Sequence, residues 1–428
     1  MNPGLVVKLR PAGPWRIGPD SGARNQVDVL YHSDSLYSAV TWALGRLGSL
    51  EEWLNATARS AFPSVSFSSL FPFIEEIGFV SPPRTIWPPS APALLAARVR
   101  WKSARFVPLG IVQALLAGKS LDENQWAVDG PSGCLVPAGR IGPFRTSLRF
   151  NAAVDRLSGA AERHSIACLE FRPGAGLWGV ISFSDERARS RWAERLQVAI
   201  RLLADSGFGG ERSRGWGRAE TPEFVEGRLP DMIMGEQHLA AGPVETVRAQ
   251  AVAAEATPVE AASVETASME TAAETSGETA APDANAGDAA NSDANSDAAS
   301  DAASDATTGD AATGPPAIEE PQVEAVPLPP SPVSGLRPHW LLSLFTPAAG
   351  DSVDWNRGNY TVLDRGGRVE SPVRSGELKK QLPMVAEGSV LYAASALRGA
   401  APDVAPDGFA HPVFRAGFAL AIPLPEAG

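Results

Sequence analysis

The chain has 428 residues, enough for two or three domains, and a formal net charge of −12 that argues against a nucleic-acid partner if it is spread evenly. Its two cysteines, Cys134 and Cys168, are too few for a disulfide framework and lack the spacing of a zinc site. The sequence holds neither a signal-peptide run near Met1 nor a stretch of membrane-spanning length, so a cytoplasmic protein is expected.

In chain order, Leu5–Leu9 is a short β-type run that ends at Pro11, Gly13 and Pro14. Residues 34–47 read as a helix in which Leu36, Val40, Ala43 and Leu47 share one apolar face. Ser33 is expected to cap it, and Asp34 suits the positive end of its dipole. Pro82, Pro83, Pro88, Pro89 and Pro92 then mark a loop-rich interval. Arg140, Arg145, Arg149 and Arg156 gather around Phe144 and Phe150. Such a segment tracks phosphates while its aromatics meet bases, unless the two phenylalanines are simply core. Residues 165–171 and 177–183 are two β-type runs that Arg172–Gly176 is expected to join as a hairpin.

A helix follows over 185–205, capped by Ser184, with Trp192, Leu196, Ala199 and Leu203 at helical spacing. Gly207 reads as its C-terminal stop, and residues 218–225 read as a strand. Between them lies the segment Gly207, Phe208, Gly209, Gly210, Glu211, Arg212, Ser213, Arg214, Gly215, Trp216, Gly217, which has five glycines in eleven residues. A phosphate loop or dinucleotide fingerprint follows a strand and opens a helix; this loop does the reverse. Its backbone can approach a ligand closely, while Arg212 and Arg214 can grip a single-stranded RNA. Trp216 either stacks on a base or anchors the loop.

Residues 235–335 are low complexity and read as a disordered insertion. Asp293, Asp297, Asp301 and Asp305 recur every four residues, which sets like charges on one face of any helix. Residues 241–330 hold ten Glu and seven Asp against the single Arg248, a net of −16, so the rest of the chain carries +4. The acidity therefore belongs to one segment, and the remaining basic residues are mostly arginine. Its expected role is none beyond being tolerated in a surface loop; the sharper alternative is that its acids compete with RNA for the basic face and lower nonspecific binding. Beyond it, His339–Phe345, Tyr360–Leu363 and Phe414–Pro423 are β-type runs expected to complete the sheets.

The fold class read from this pattern is α+β: two ferredoxin-like (RRM-like) units over 1–150 and 151–234, the insertion over 235–335, and strands over 336–428. Two enzymatic readings compete with binding. His32 before the first helix could serve as general acid or base in metal-independent RNA cleavage, but no partner is identifiable. Asp34 alone does not make a metal site, and no cofactor motif is present.

Four segments together resemble a known family. They are the glycine-rich loop, His32–Ala39 (HSDSLYSA), Asn151–Ala161 (NAAVDRLSGAA) and His411–Ala419 (HPVFRAGFA). In this order the chain is similar to the RAMP superfamily of CRISPR RNA-binding proteins, and within it to the fourth-subunit family of type III-A (Csm) interference complexes. The resemblance covers roughly 1–230 and 336–428. It implies a non-catalytic subunit that holds the 5′ handle of the guide RNA and contacts the large polymerase-like subunit and the backbone RAMP subunit. It also implies that the glycine loop and the His32–Ser33 region line the handle site.

Overall fold

The apolar N-terminal run forms strand β1 (Asn2–Leu9), antiparallel to β10 (Ala175–Phe183) on one side and β11 (Glu223–Leu229) on the other. In a computed structural model of the chain, the residues described are 1–19, 22–89, 100–154, 158–235, 335–370 and 376–425. The expected insertion and Arg156 lie outside the described residues, apart from the insertion's two ends.

All nine residues of β10 are buried, because a continuous apolar run needs cover on both faces and so takes a central place. Next to it run β2 (Val65–Phe67) and β3 (Phe71–Ile74), followed outward by β4 (Ile77–Val80) and β5 (Val107–Pro108). The resulting order is β11-β1-β10-β3-β4-β5, with β2 also on β10. Helix α1 (Ser33–Arg46) connects β1 towards β2 by way of the short α2 (Leu50–Ala56). Helix α3 (Leu109–Leu116) leads to a small hairpin, β6 (Trp126–Asp129) with β7 (Cys134–Pro137). Helix α4 (Glu186–Ser206) joins β10 to β11, and a single turn, α5 (Asp231–Met234), follows β11. Leu36, Val40 and Ala43 of α1 and Trp192, Leu196, Ala199 and Leu203 of α4 are all buried, as their spacing predicts, whereas Leu47, expected on the same face of α1, lies just past its end and is exposed.

Several expectations change. The runs at 165–171 and 177–183 do not pair with each other. Instead β9 (Ala161–Phe171) pairs with β8 (Phe144–Val154) along its whole length, from Phe144 opposite Phe171 to Val154 opposite Ala161. The polar start of β9 cannot sit in the sheet centre that β10 occupies. Consequently residue 150 does not separate two sheets, since β10 and β11 flank β1. Both helix caps also shift by one residue. His32 takes the cap position of α1, and Asp185, not Ser184, caps α4 by accepting from the Ala188 N–H.

The C-terminal strands build a sheet of their own, in order β13-β16-β12-β19, rather than extending the first. Its members are β12 (Arg337–Leu341), β13 (Val353–Asn359), β16 (Val390–Ala393) and β19 (Ala421–Pro423). Two small ribbons flank it: β14 (Val362–Arg365) with β15 (Leu382–Val385), and β17 (Gly399–Ala400) with β18 (Gly417–Phe418). The two sheets share one apolar core, in which Trp340, Leu342 and Phe418 join Tyr37 and Trp53. Phe418 meets Tyr37 edge-on at 5.5 Å, and the Ser69 N–H donates to the Leu342 carbonyl at 2.9 Å. All described residues thus fall in one unit, contributed from both sides of the insertion.

Candidate nucleic-acid interface

The glycine-rich loop leaves α4 at Gly207, whose φ of 97° ends the helix, and returns towards β11 at Gly217. Two of its glycines are required by close approach. A Cβ on Gly209 would meet the Arg16 carbonyl oxygen at 2.3 Å, and one on Gly217 would meet that of Phe208 at 2.0 Å. Backbone hydrogen bonds close the loop, from Phe208 N–H to Gly217 O and from Gly217 N–H to Pro14 O, both at 2.9 Å.

Phe208 is an anchor and not a stacking surface. Its ring is 1% exposed, lies parallel to Trp15 at 5.1 Å, and meets Tyr31 edge-on at 6.0 Å. That plug turns the outer arc to solvent, where Arg212–Arg214 form one 3-10 turn between Glu211 and Gly215, both left-handed. Ser213 and Arg214 are exposed and Trp216 is half-buried. Arg214 pairs with Glu211 at 3.1 Å. Arg212 pairs with Glu370 at 2.5 Å and sits 5.3 Å over the Trp42 ring. Trp42, Glu211, Arg212, Ser213 and Glu370, with Ser206, Gly209 and Gly210, line an open groove of about 610 Å³.

A second basic element stands at the β8–β9 ribbon. Arg145 and Arg149 are exposed and both bind Glu170, Arg145 at 2.9 Å. Phe144 is core, whereas Phe150 is 57% exposed with the Arg163 guanidinium 4.0 Å over its ring. Arg16 links the two elements. Its buried guanidinium donates to the carbonyls of Ala23, Arg24 and Gln26 and to Ala167 at the ribbon's base, while its own carbonyl accepts from the Gly210 N–H at 2.8 Å.

His32 and Ser33 do not reach this surface; both are 5% exposed. His32 Nδ1 lies 2.8 Å from Glu387 and Nε2 lies 3.2 Å from Asp28. Burial opposes its protonation, but the charge of Glu387 and the bond to Asp28 outweigh burial and push its pKa up to about 10. Burial likewise opposes the charge on Asp28, yet its bond to His32 brings that carboxyl down to about 2. Ser33 donates its N–H to Ser69 Oγ at 2.8 Å and accepts the Leu344 N–H at 3.0 Å. One residue on, Asp34 is buried between Arg365, at 3.0 Å, and Arg415. Burial opposes its ionisation too, but Arg365 and Arg415 hold it well below the usual carboxylate range.

The segments around His32 and His411 therefore meet, through Asp34 and Arg415, as a clamp between the two sheets. A histidine held protonated between carboxylates and shut from solvent is poorly placed to take a proton from a ribose hydroxyl. Among the described residues, no group of three or more His, Cys, Asp or Glu is arranged to hold a metal, and no helix is long and apolar enough to cross a membrane.

Sequence reasoning misses Trp42, Arg16 and Glu370. Trp42 has one readable signal: it is a large aromatic lying off the Leu36-Val40-Ala43 stripe of its helix. Nothing local marks Glu370, whose partner is remote in sequence, or Arg16, whose nearby partners are backbone carbonyls that carry no residue signature.

Fold and loop define a mixed helix-and-strand protein with a glycine-rich loop at a helix C-terminus. Residues 337–424 match the family model described as the CRISPR Csm4 C-terminal domain. A comparison with curated proteins finds no match. Among solved structures, a chain from the Csm3-Csm4 subcomplex of the type III-A CRISPR-Cas interference complex is similar. It has 14% identity and a TM-score of 0.51, with 98% of this chain and 99% of that chain covered. A chain from the Csm1-Csm4 cassette in complex with pppApA has 13% identity and a TM-score of 0.47, with 99% and 100% covered.

Proposed function

We propose that the chain is a non-catalytic, RNA-binding subunit of a type III-A CRISPR interference complex, serving antiviral defence in the cytoplasm by holding the 5′ handle of the guide RNA. The observation that carries the reading is the open groove of about 610 Å³ at the glycine-rich loop, where Arg212 and Ser213 line the wall and Arg214 is exposed beside them. Gly207, Gly209, Gly210, Gly215 and Gly217 shape the backbone of that surface, and Phe208 fixes it from beneath. Arg145 and Arg149 extend it along the ribbon, with Phe150 as an exposed ring for a base. His32 and Ser33, expected at the handle site, lie inside the clamp between the two sheets. The burial of His32 favours binding over cleavage.

The related Csm3-Csm4 structure pairs Csm4 with Csm3, which supports contact from this chain to a backbone RAMP subunit, and we extend the proposal to the large polymerase-like subunit. The strand order β11-β1-β10-β3, with α1 and α4 as the connecting helices, supports a ferredoxin-like unit, assembled from residues on both sides of position 150.

The test is metal-free incubation of the full chain with a labelled repeat RNA and with a mature guide bearing its 5′ handle, across a salt series. Handle-dependent binding without cleavage is expected. Clean scission of the repeat would overturn the proposal.

A further inference from the structure

RNA that binds the groove has to meet an ion pair already in place there. The Arg212 guanidinium lies 5.3 Å over the indole of Trp42, so its planar face is supported and its N–H edges remain free for in-plane hydrogen bonds. Glu370, 158 residues away in sequence, occupies one of those edges, Nη2 to Oε1 at 2.5 Å. The carboxylate side chain is 68% exposed, while Arg212 is 28% exposed beneath it. Both line the open groove together with Trp42 and the loop backbone. A carboxylate and a phosphodiester each offer a guanidinium two anionic oxygens in similar geometry.

We propose that Glu370 is an intramolecular stand-in for RNA phosphate: it occupies Arg212 in the unbound chain, and a phosphodiester of the incoming single strand displaces it while Trp42 keeps the guanidinium in place. This rests on the reading that the glycine-rich loop binds RNA, and adds the group the RNA must displace. No bond is made or broken; one oxyanion exchanges for another on the same guanidinium. Glu370 then lowers RNA affinity only through Arg212, which distinguishes it from a general repulsion between surface acids and RNA.

The experiment is a titration of the full chain with labelled guide RNA at about 0.1 M salt, where exposed charges more than about 10 Å apart are largely screened. Four proteins are compared: wild type, Glu370→Gln, Arg212→Ala and the double variant, each checked for an unchanged thermal midpoint. Glu370→Gln is expected to tighten binding two- to fivefold, equivalent to the about 0.4–1 kcal/mol of an exposed ion pair. Arg212→Ala is expected to weaken binding, and Glu370→Gln to have no effect in that background. Equal tightening with and without Arg212, or none in either, overturns the proposal. Weakening by Arg212→Ala without a gain from Glu370→Gln overturns the stand-in alone. If Arg212→Ala changes neither affinity nor salt slope, the RNA-binding reading of the loop falls with it.

Discussion

Side chains of the glycine loop divide by direction. Phe208 points in, and Phe208→Ala is expected to cost about 3–5 kcal/mol of stability, as for other buried aromatics, seen as a lower thermal midpoint. Arg212 faces the groove and Arg214 is exposed beside it. Replacing both with Ala is expected to leave the midpoint unchanged, weaken RNA binding, and flatten the salt dependence by about 0.7 per lost phosphate contact. His32 is inside the clamp, and its raised pKa has a sign that can be checked. Its stabilising contribution is fully present below its ordinary value of 6.5 and is lost as pH rises through about 10. Denaturant midpoints for wild type are therefore expected to fall between those two pH values, and His32→Gln to remove most of that slope.

At the level of elements, the β8–β9 ribbon and the loop–helix junction carry the two surfaces proposed for RNA. The ribbon's outer half leaves Leu148, Phe150 and Val154 exposed on β8, so its sequence is not constrained by core packing there. Phe150→Ala is expected to leave stability unchanged and to weaken RNA binding by about 1–3 kcal/mol if a base stacks on the ring. Unaltered affinity would assign the ribbon another task. The start of α1 is the opposite case, since its charged first turn is fully enclosed. Asp34→Ala leaves Arg365 and Arg415 buried without their carboxylate and is expected to destabilise by about 3–5 kcal/mol, measured by chemical denaturation. An exposed first-turn aspartate would cost only the fraction of a kcal/mol typical of a dipole contact.

For the whole molecule, the clamp has a direct consequence. Residues 335–425 bring Arg365, Arg415 and Glu387 to groups on the N-terminal side, and Trp340, Leu342 and Phe418 to the shared core. A fragment ending at residue 235 is therefore expected to expose apolar surface and His32 together, and to be insoluble or to bind hydrophobic dyes. Deleting residues 241–330, which carry a net charge of −16, removes none of these contacts. The thermal midpoint is expected to stay the same, while affinity for unrelated RNA at low salt rises as the competing acids are removed. Unchanged affinity would end the proposal that the insertion competes with RNA.

Local pattern alone determined the parts whose cause is local. The apolar stripes at 36–43 and 192–203 specify two amphipathic helices, and the glycine loop follows from five glycines after a helical run. The arginine-rich character of that loop was equally readable. Partners distant in the chain were not, because nothing in a linear sequence says which strand lies beside which. The run at 177–183 read as a strand, but only packing decided that it pairs with β1 and not with β9. The same limit governed the site. Asp34 resembled an exposed dipole partner until Arg365 and Arg415, more than 300 residues away, enclosed it. His32 and Ser33 read as RNA contacts by their motif, and tertiary structure turned them inward, since buried charges persist only where opposite charges converge from separate segments.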